Sequence, residues 1–159
     1  MAIDYDLDCA TRSTVDEVAG RLLAIGRGVG VFDGSVTRDG LMEGTGTRLD
    51  TWVRVLRHGP CHPWHPVVAG LGFTPTVTVA FRMAKGVEVS EQQDDMLRLV
   101  MPLLAQVDGD AVMHFQFEEV WLLRRNGQLT LNEQDVLWRP QRLALVPGPY
   151  RRQTHIMDD

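Results

Sequence analysis

The chain is 159 residues long, carries a formal net charge of −5 at pH 7, and is 44% hydrophobic and 23% charged. This length predicts a single domain over residues 1–159, and the composition excludes a disordered chain, a collagen-like repeat and a disulfide-dense miniprotein. Because proteins that grip nucleic-acid phosphates normally carry a basic excess, the acidic balance argues against a nucleic-acid partner.

The first strand and the first helix have clear patterns. Apolar residues alternate with Asp4, Asp6 and Asp8, and this period of two predicts a strand with one buried face and one acidic face. Apolar residues then recur at helical spacing over about residues 15–27, where glycines end the run.

Glycine and aspartate punctuate the next part of the chain. It contains three strand candidates, at residues 30–36, 41–44 and 49–56. In the third candidate, Trp52 and Arg54 take the face away from the core. The segment 59–66 has three prolines, which remove backbone donors, so it must be a loop.

The second half of the chain repeats the strand and helix patterns. Alternation over residues 76–83 predicts another strand, and an apolar stripe from Ser90 to Gly109 predicts a second long helix, kinked at Pro102. A hairpin is predicted over residues 111–132, joined at Asn126-Gly127, a dipeptide that suits a type I′ turn.

The C-terminal residues 133–159 are predicted to extend this domain and wrap the sheet, as an edge strand or a helix. They carry a basic stretch that we expect to act as an intramolecular counter-surface for the acidic first strand. That stretch contains Trp138, Arg139, Arg142, Arg151 and Arg152.

This order of elements predicts an α+β fold. We expect an antiparallel or mixed sheet with two helices packed on one face, following a ferredoxin-like βαββαβ plan with extra strands and a C-terminal extension.

The sequence also predicts a cytoplasmic protein without a membrane partner. The N-terminal segment is acidic and lacks the positive start and apolar run of a signal peptide. No stretch approaches the roughly 20 apolar residues that a membrane span requires. Cys9 and Cys61 are too few, and wrongly spaced, for a secreted disulfide framework.

Two groups of residues resemble metal sites, but we predict no metal and no cofactor. The triplet Asp4, Asp6 and Asp8 lacks the glycine and glutamate of a calcium-binding loop, since Cys9 and Val15 stand at those positions. A second group has ligand types that zinc prefers, yet its spacing matches no usual zinc pattern. It consists of His58, Cys61, His62 and His65.

An enzymatic alternative rests on Glu118, Glu119 and His114, which could act as acid and base in a pocket. On the predicted strand Glu119 falls on the apolar face, and buried carboxylates cluster at functional sites. A β-bulge or an arginine partner, Arg54 or Arg82, explains Glu119 more simply. No nucleophile elbow or dinucleotide-binding fingerprint is present in the sequence.

The polar sheet face favours protein recognition, because charge complementarity and an aromatic anchor set the specificity and rate of association. A homodimer joined through this face is the competing use of it. The predicted partner-binding residues are Asp4, Asp6, Asp8, Trp52, Arg54, Arg82, His114, Gln116 and Glu118.

Several runs resemble a known family, the Sit-type immunity proteins of bacterial polymorphic toxin systems, named for swarming inhibition. The runs are Tyr5-Asp6-Leu7-Asp8, 72–82, 92–96, 114–118, 121–125 and Pro149-Tyr150-Arg151-Arg152. The resemblance covers nearly the whole chain and includes no catalytic motif. It implies a small non-enzymatic protein of the bacterial cytoplasm that binds and neutralises a cognate toxin.

Overall fold

The computed structural model describes residues 2–157, in which eight strands form one sheet. The strands are β1 (Asp4–Ala10), β2 (Thr45–Gly46), β3 (Trp52–Arg57), β4 (Val77–Arg82), β5 (Asp110–Phe115), β6 (Glu119–Arg125), β7 (Gln128–Leu131) and β8 (Arg151–Arg152). The helices are α1 (Val15–Gly28), α2 (Arg38–Glu43), α3 (Val89–Gln106) and α4 (Pro140–Leu143), with a π-helical turn at Val67–Leu71.

The strand order is β2-β3-β4-β1-β5-β6-β7-β8. Neighbouring strands are antiparallel except for β7 and β8, which are parallel, so the sheet is mixed. Along the chain, β1, α1, β3, β4, α3 and β5 follow the predicted βαββαβ order. The α+β class is confirmed, while the full ferredoxin-like plan stays a prediction.

The main core lies between the sheet and the two long helices. Leu7, Val55 and Met113 point from the sheet into the cluster that contains Leu22 of α1 and Leu99 of α3. Both helices therefore pack on the same face, as the alternation of β1 and β3 requires.

Helix α1 begins with a capping box. The Thr14 hydroxyl accepts a hydrogen bond from the Glu17 amide, and the Glu17 carboxylate accepts one from the Thr14 amide. This reciprocal pair satisfies two backbone donors that a helix N-terminus leaves free. Helix α3 begins earlier than predicted, at Val89, without a side-chain cap, and continues through Pro102 to Gln106.

Two of the predicted strands are wrong. Residues 30–36 form turns, and α2 occupies most of the predicted strand 41–44. The Thr37 hydroxyl caps α2 by accepting a hydrogen bond from the Gly40 amide, and Leu41 is its one buried residue. A single apolar position in a short segment does not distinguish a helical turn from a strand.

The predicted hairpin over residues 111–132 is a three-stranded meander. A turn at residues 116–118 separates β5 from β6, and both Gln116 and Phe117 have positive φ angles. The turn between β6 and β7 is confirmed at Asn126 (φ 52°) and Gly127 (φ 78°), the two positive angles that a type I′ turn requires.

Residues 133–157 provide both predicted features, a helical turn, α4, and an edge strand, β8. The buried Trp138 indole donates a hydrogen bond to the Trp121 carbonyl oxygen at 2.8 Å, which attaches this segment to β6. No helix within the described part of the chain has the length and apolar character needed to cross a membrane.

Candidate partner-binding face

The predicted partner-binding residues lie mainly on the sheet face opposite α1 and α3, here called the second face. Strand register places Asp4 beside Arg82, and Asp6 between Ala80 and His114. Across β4, Ala80 is also the register partner of Arg54. The acidic stripe of β1 and the polar side chains of β3, β4 and β5 therefore meet, as predicted.

Asp8 and His114 form a buried pair at the centre of this face. Asp8 is 2% exposed and His114 is 0% exposed. The His114 Nε2 atom lies 2.8 Å from Asp8 Oδ2, and the Thr78 hydroxyl donates a hydrogen bond to Asp8 Oδ1 at 2.6 Å. Both carboxylate oxygens thus have partners, as a buried charge requires.

The second nitrogen of His114 determines which tautomer is present. The Phe117 amide donates a hydrogen bond to His114 Nδ1 at 3.1 Å, so Nδ1 carries the lone pair. The proton is therefore on Nε2 and is donated to Asp8. Because the same bond holds the positive-φ turn at residues 116–118, the buried pair fixes the shape of that turn.

The electrostatics of Asp8 agree with this arrangement. Burial alone raises the pKa of the Asp8 carboxyl, but the hydrogen bonds from His114 and from the Thr78 hydroxyl outweigh it. The net effect holds the pKa of Asp8 below its usual value, so the group stays ionised.

A cap, formed by residues 58–73, covers part of the second face. Val67, Leu71 and Phe73 of this cap pack on the β5–β6 half of the sheet, against Val112 and Leu123.

Aromatic rings continue the contact at the edge of the cap. The Phe117 ring stacks on His114 with centroids 4.4 Å apart, and His65 meets Phe117 edge-on at 5.5 Å. Asp8 and His114 are therefore buried, although the alternation of polar and apolar residues along the strands predicts that they lie on an open surface.

The β3–β4 half of the second face remains open. Trp52 is 37% exposed and packs over Gly44, where an added Cβ would lie 2.5 Å from the indole nitrogen. Arg82 donates to the Asp4 carboxylate at 2.8 Å, and the Arg54 Nε donates to the Met42 carbonyl oxygen at 3.2 Å. This half combines an aromatic side chain with charges of both signs.

Gln116 and Glu118 are not on a strand. Both lie in the exposed turn between β5 and β6, where the Gln116 amide group donates a hydrogen bond to the Ala2 carbonyl oxygen at 3.0 Å. They border the second face beside Phe117, which is 38% exposed.

Glu119 does not join His114 in a catalytic pocket. The register between β5 and β6 shifts next to His114, as the predicted bulge requires, and the half-buried Glu119 accepts a hydrogen bond from the Trp121 indole at 3.2 Å. Five cavities of about 190–440 Å³ on the described surface are lined by none of Glu118, Glu119 and His114.

In the cap, the group His58, Cys61, His62 and His65 contains one thiol contact. The Cys61 Sγ lies 3.3 Å from His58 Nδ1. Within residues 2–157, no group of three or more histidine, cysteine or acidic side chains could hold a metal ion. The second thiol, Cys9, is buried in the main core, which raises its pKa to about 12.

Sequence reasoning missed the role of Gln92 and Asp95. Gln92 is 0% exposed; it accepts hydrogen bonds from the Thr51 hydroxyl and the Ala84 amide, both at 2.7 Å. Buried Asp95 accepts from Arg48 at 2.7 and 2.9 Å. These residues attach α3 to the start of β3 and the end of β4.

Arg142 joins α4 to α3 in a buried polar cluster. It is 1% exposed and donates to Asp94 at 2.6 Å, to Gln93 at 3.1 Å and to the Leu137 carbonyl oxygen at 3.0 Å. Gln93 in turn donates to the Tyr5 hydroxyl at 2.7 Å. The predicted counter-surface for the acidic strand is thus wrong for Arg142, whose ion-pair partner is in α3.

The runs that carry the family resemblance therefore have structural roles. Hydrogen bonds of Asp8 with Thr78 and His114 connect β1 to β4 and β5 on the second face. Residues 92–95 attach α3 to the rest of the fold. The model of the family described as SitI3-like matches residues 3–142, most of the chain, whereas comparison with curated proteins and with solved structures finds no match. The chain belongs to the SitI3-like family.

Proposed function

We propose that this protein is a non-enzymatic immunity protein that binds and neutralises a cognate toxin in the bacterial cytoplasm. Family membership supports an immunity role. The observation that carries the binding mode is the open half of the second face, with its exposed aromatic side chain and unlike charges.

The contact surface in this proposal has two parts. The open half contributes Asp4, Asp6, Trp52, Arg54 and Arg82. The turn at residues 116–118 contributes Gln116 and Glu118 at its border. Asp8 and His114 act beneath the surface, because their hydrogen bonds hold β1, β4 and the turn in place.

Co-expression with the toxin encoded beside this gene tests the proposal. We expect the wild-type protein to restore growth and to co-elute with an inactive form of the toxin in size-exclusion chromatography. Trp52→Ala should reduce binding by about thirtyfold or more, because buried aromatic anchors dominate interface energetics. Absence of both rescue and complex would overturn the proposal.

Two controls separate surface effects from folding and dimerisation. Ile156→Ala removes another exposed apolar side chain, 73% exposed, and should bind the toxin like the wild type. The melting temperature of Trp52→Ala verifies that its sheet is intact. If the wild type has the solution mass of two chains and Trp52→Ala has the mass of one, the open half is instead the interface of a homodimer.

A further inference from the structure

Asp6 stands out on the second face because its carboxylate forms no hydrogen bond or ion pair within residues 2–157. The side chain is half-buried, and burial, followed by the nearby carboxylates of Asp8 and Asp4, raises its pKa against a smaller opposing effect of His58. No hydrogen bond from within residues 2–157 contributes to holding it ionised.

The nearby arginines are engaged elsewhere. Arg82 binds both oxygens of Asp4, at 2.8 and 3.4 Å, and Arg54 reaches the Met42 carbonyl oxygen at the edge of the sheet. On β4, the register partner of both Arg54 and Asp6 is Ala80, whose methyl group cannot form a hydrogen bond or an ion pair. At this register, β4 therefore offers Asp6 no polar side chain to pair with.

An aromatic ring stacks on the β5 neighbour of Asp6. His114 is the register partner of Asp6 on β5, and the exposed Phe117 ring stacks on His114 at 4.4 Å. A carboxylate with an aromatic ring one side chain away suits a guanidinium group, which can donate hydrogen bonds to a carboxylate and lie flat against a ring.

We infer that Asp6 is the receiving site for an arginine side chain of the protein partner, bound between the carboxylate and Phe117. This inference rests on the proposed function and specifies the chemistry of the partner's contact residue. The arginine would supply the positive charge that the Asp6 carboxylate has no partner for. Desolvated pairs of opposite charge carry much of the specificity of an interface.

A partner-independent measurement tests the site directly. The carboxyl resonance of Asp6 is titrated by NMR with N-acetylarginine amide, and with the neutral analogue N-acetylcitrulline amide as the control. We expect the arginine compound alone to lower the pKa of Asp6 and to shift the Ala80 and Phe117 signals. An equal response at Asp39, an exposed carboxylate on α2, or no response at Asp6, would overturn the inference.

Binding to the neighbouring toxin provides the second arm. Asp6→Asn should weaken the complex by about thirtyfold or more, whereas Asp39→Asn should leave it unchanged, and both variants should melt no lower than the wild type. Equal affinity of Asp6→Asn and wild type refutes the arginine site but leaves the immunity role standing. Failure of the wild type to bind, with a positive response in the NMR titration, refutes the immunity role instead.

Discussion

Replacing Arg142 with methionine is expected to lower the free energy of unfolding by about 3 kcal/mol, because a buried cation is removed and three acceptors, among them the partly exposed Asp94 carboxylate, lose their donor. The side chain volume is nearly kept, so the loss reports hydrogen bonds rather than a cavity. Asp94, Gln93 and the Leu137 carbonyl oxygen all lose a donor. Urea denaturation followed by far-UV circular dichroism measures the change.

The control for this prediction is Arg151→Met, which alters an exposed arginine of β8 and should leave the urea midpoint unchanged. A similar midpoint for both variants would contradict the structural role of the Arg142 cluster. Toxin binding by Arg142→Met, measured at low temperature where the variant is folded, should match that of the wild type.

The second large effect is expected at Asp8 and His114. The free energy of unfolding should fall by about 3–5 kcal/mol in each of the variants Asp8→Ala and His114→Ala, because each leaves a buried polar partner without a hydrogen bond. The double variant should lower the free energy of unfolding by about 0.5–3 kcal/mol less than the sum of the two single variants, which is the range for directly coupled residues. Additive effects would show that the two side chains do not interact.

A matched ion-pair control lies on the same strand. Asp4→Ala breaks the exposed contact with Arg82, and exposed pairs of this kind contribute little. Its urea midpoint should therefore stay close to that of the wild type.

The acid dependence of the Asp8 pair has a definite sign. The folded-state pKa of Asp8 is lower than its unfolded value, so the unfolded protein binds more protons as the pH falls. The wild type should have a higher free energy of unfolding than Asp8→Asn. This difference should be fully present above about pH 5 and decline below about pH 4, as the pH passes through the folded-state pKa of Asp8. A difference that stays constant down to pH 2.5 would contradict this assignment.

Local patterns were sufficient for β1, the two long helices and the turn between β6 and β7, but not for α2. Alternation placed Asp4, Asp6 and Asp8 on one face of β1, and the Asn126-Gly127 dipeptide marked its turn. The turn at residues 116–118 has no such signature, since glutamine and phenylalanine rarely adopt positive φ angles. It is held by the hydrogen bond from the Phe117 amide to His114, a tertiary contact that periodicity does not reveal.

The sequence predicted which residues share the candidate site but not which of them are buried. Strand periodicity identifies the side chains that share the second face, but burial of Asp8 depends on the cap of residues 58–73, which is remote in sequence. Arg142 was missed for the same reason, because its partners Gln93 and Asp94 belong to a helix about fifty residues earlier. The one signal in the sequence was the position of this arginine between the apolar residues Leu137 and Leu143.

The contrast between the two thiols makes the natural sequence suitable for single-site labelling. Cys9 is enclosed in the main core and its thiol, with a pKa of about 12, stays protonated, whereas Cys61 lies half-exposed on the cap. A maleimide dye at mildly alkaline pH therefore attaches to Cys61 without any substitution. The fluorophore then stands beside the second face, where its emission can report the arrival of a partner in real time.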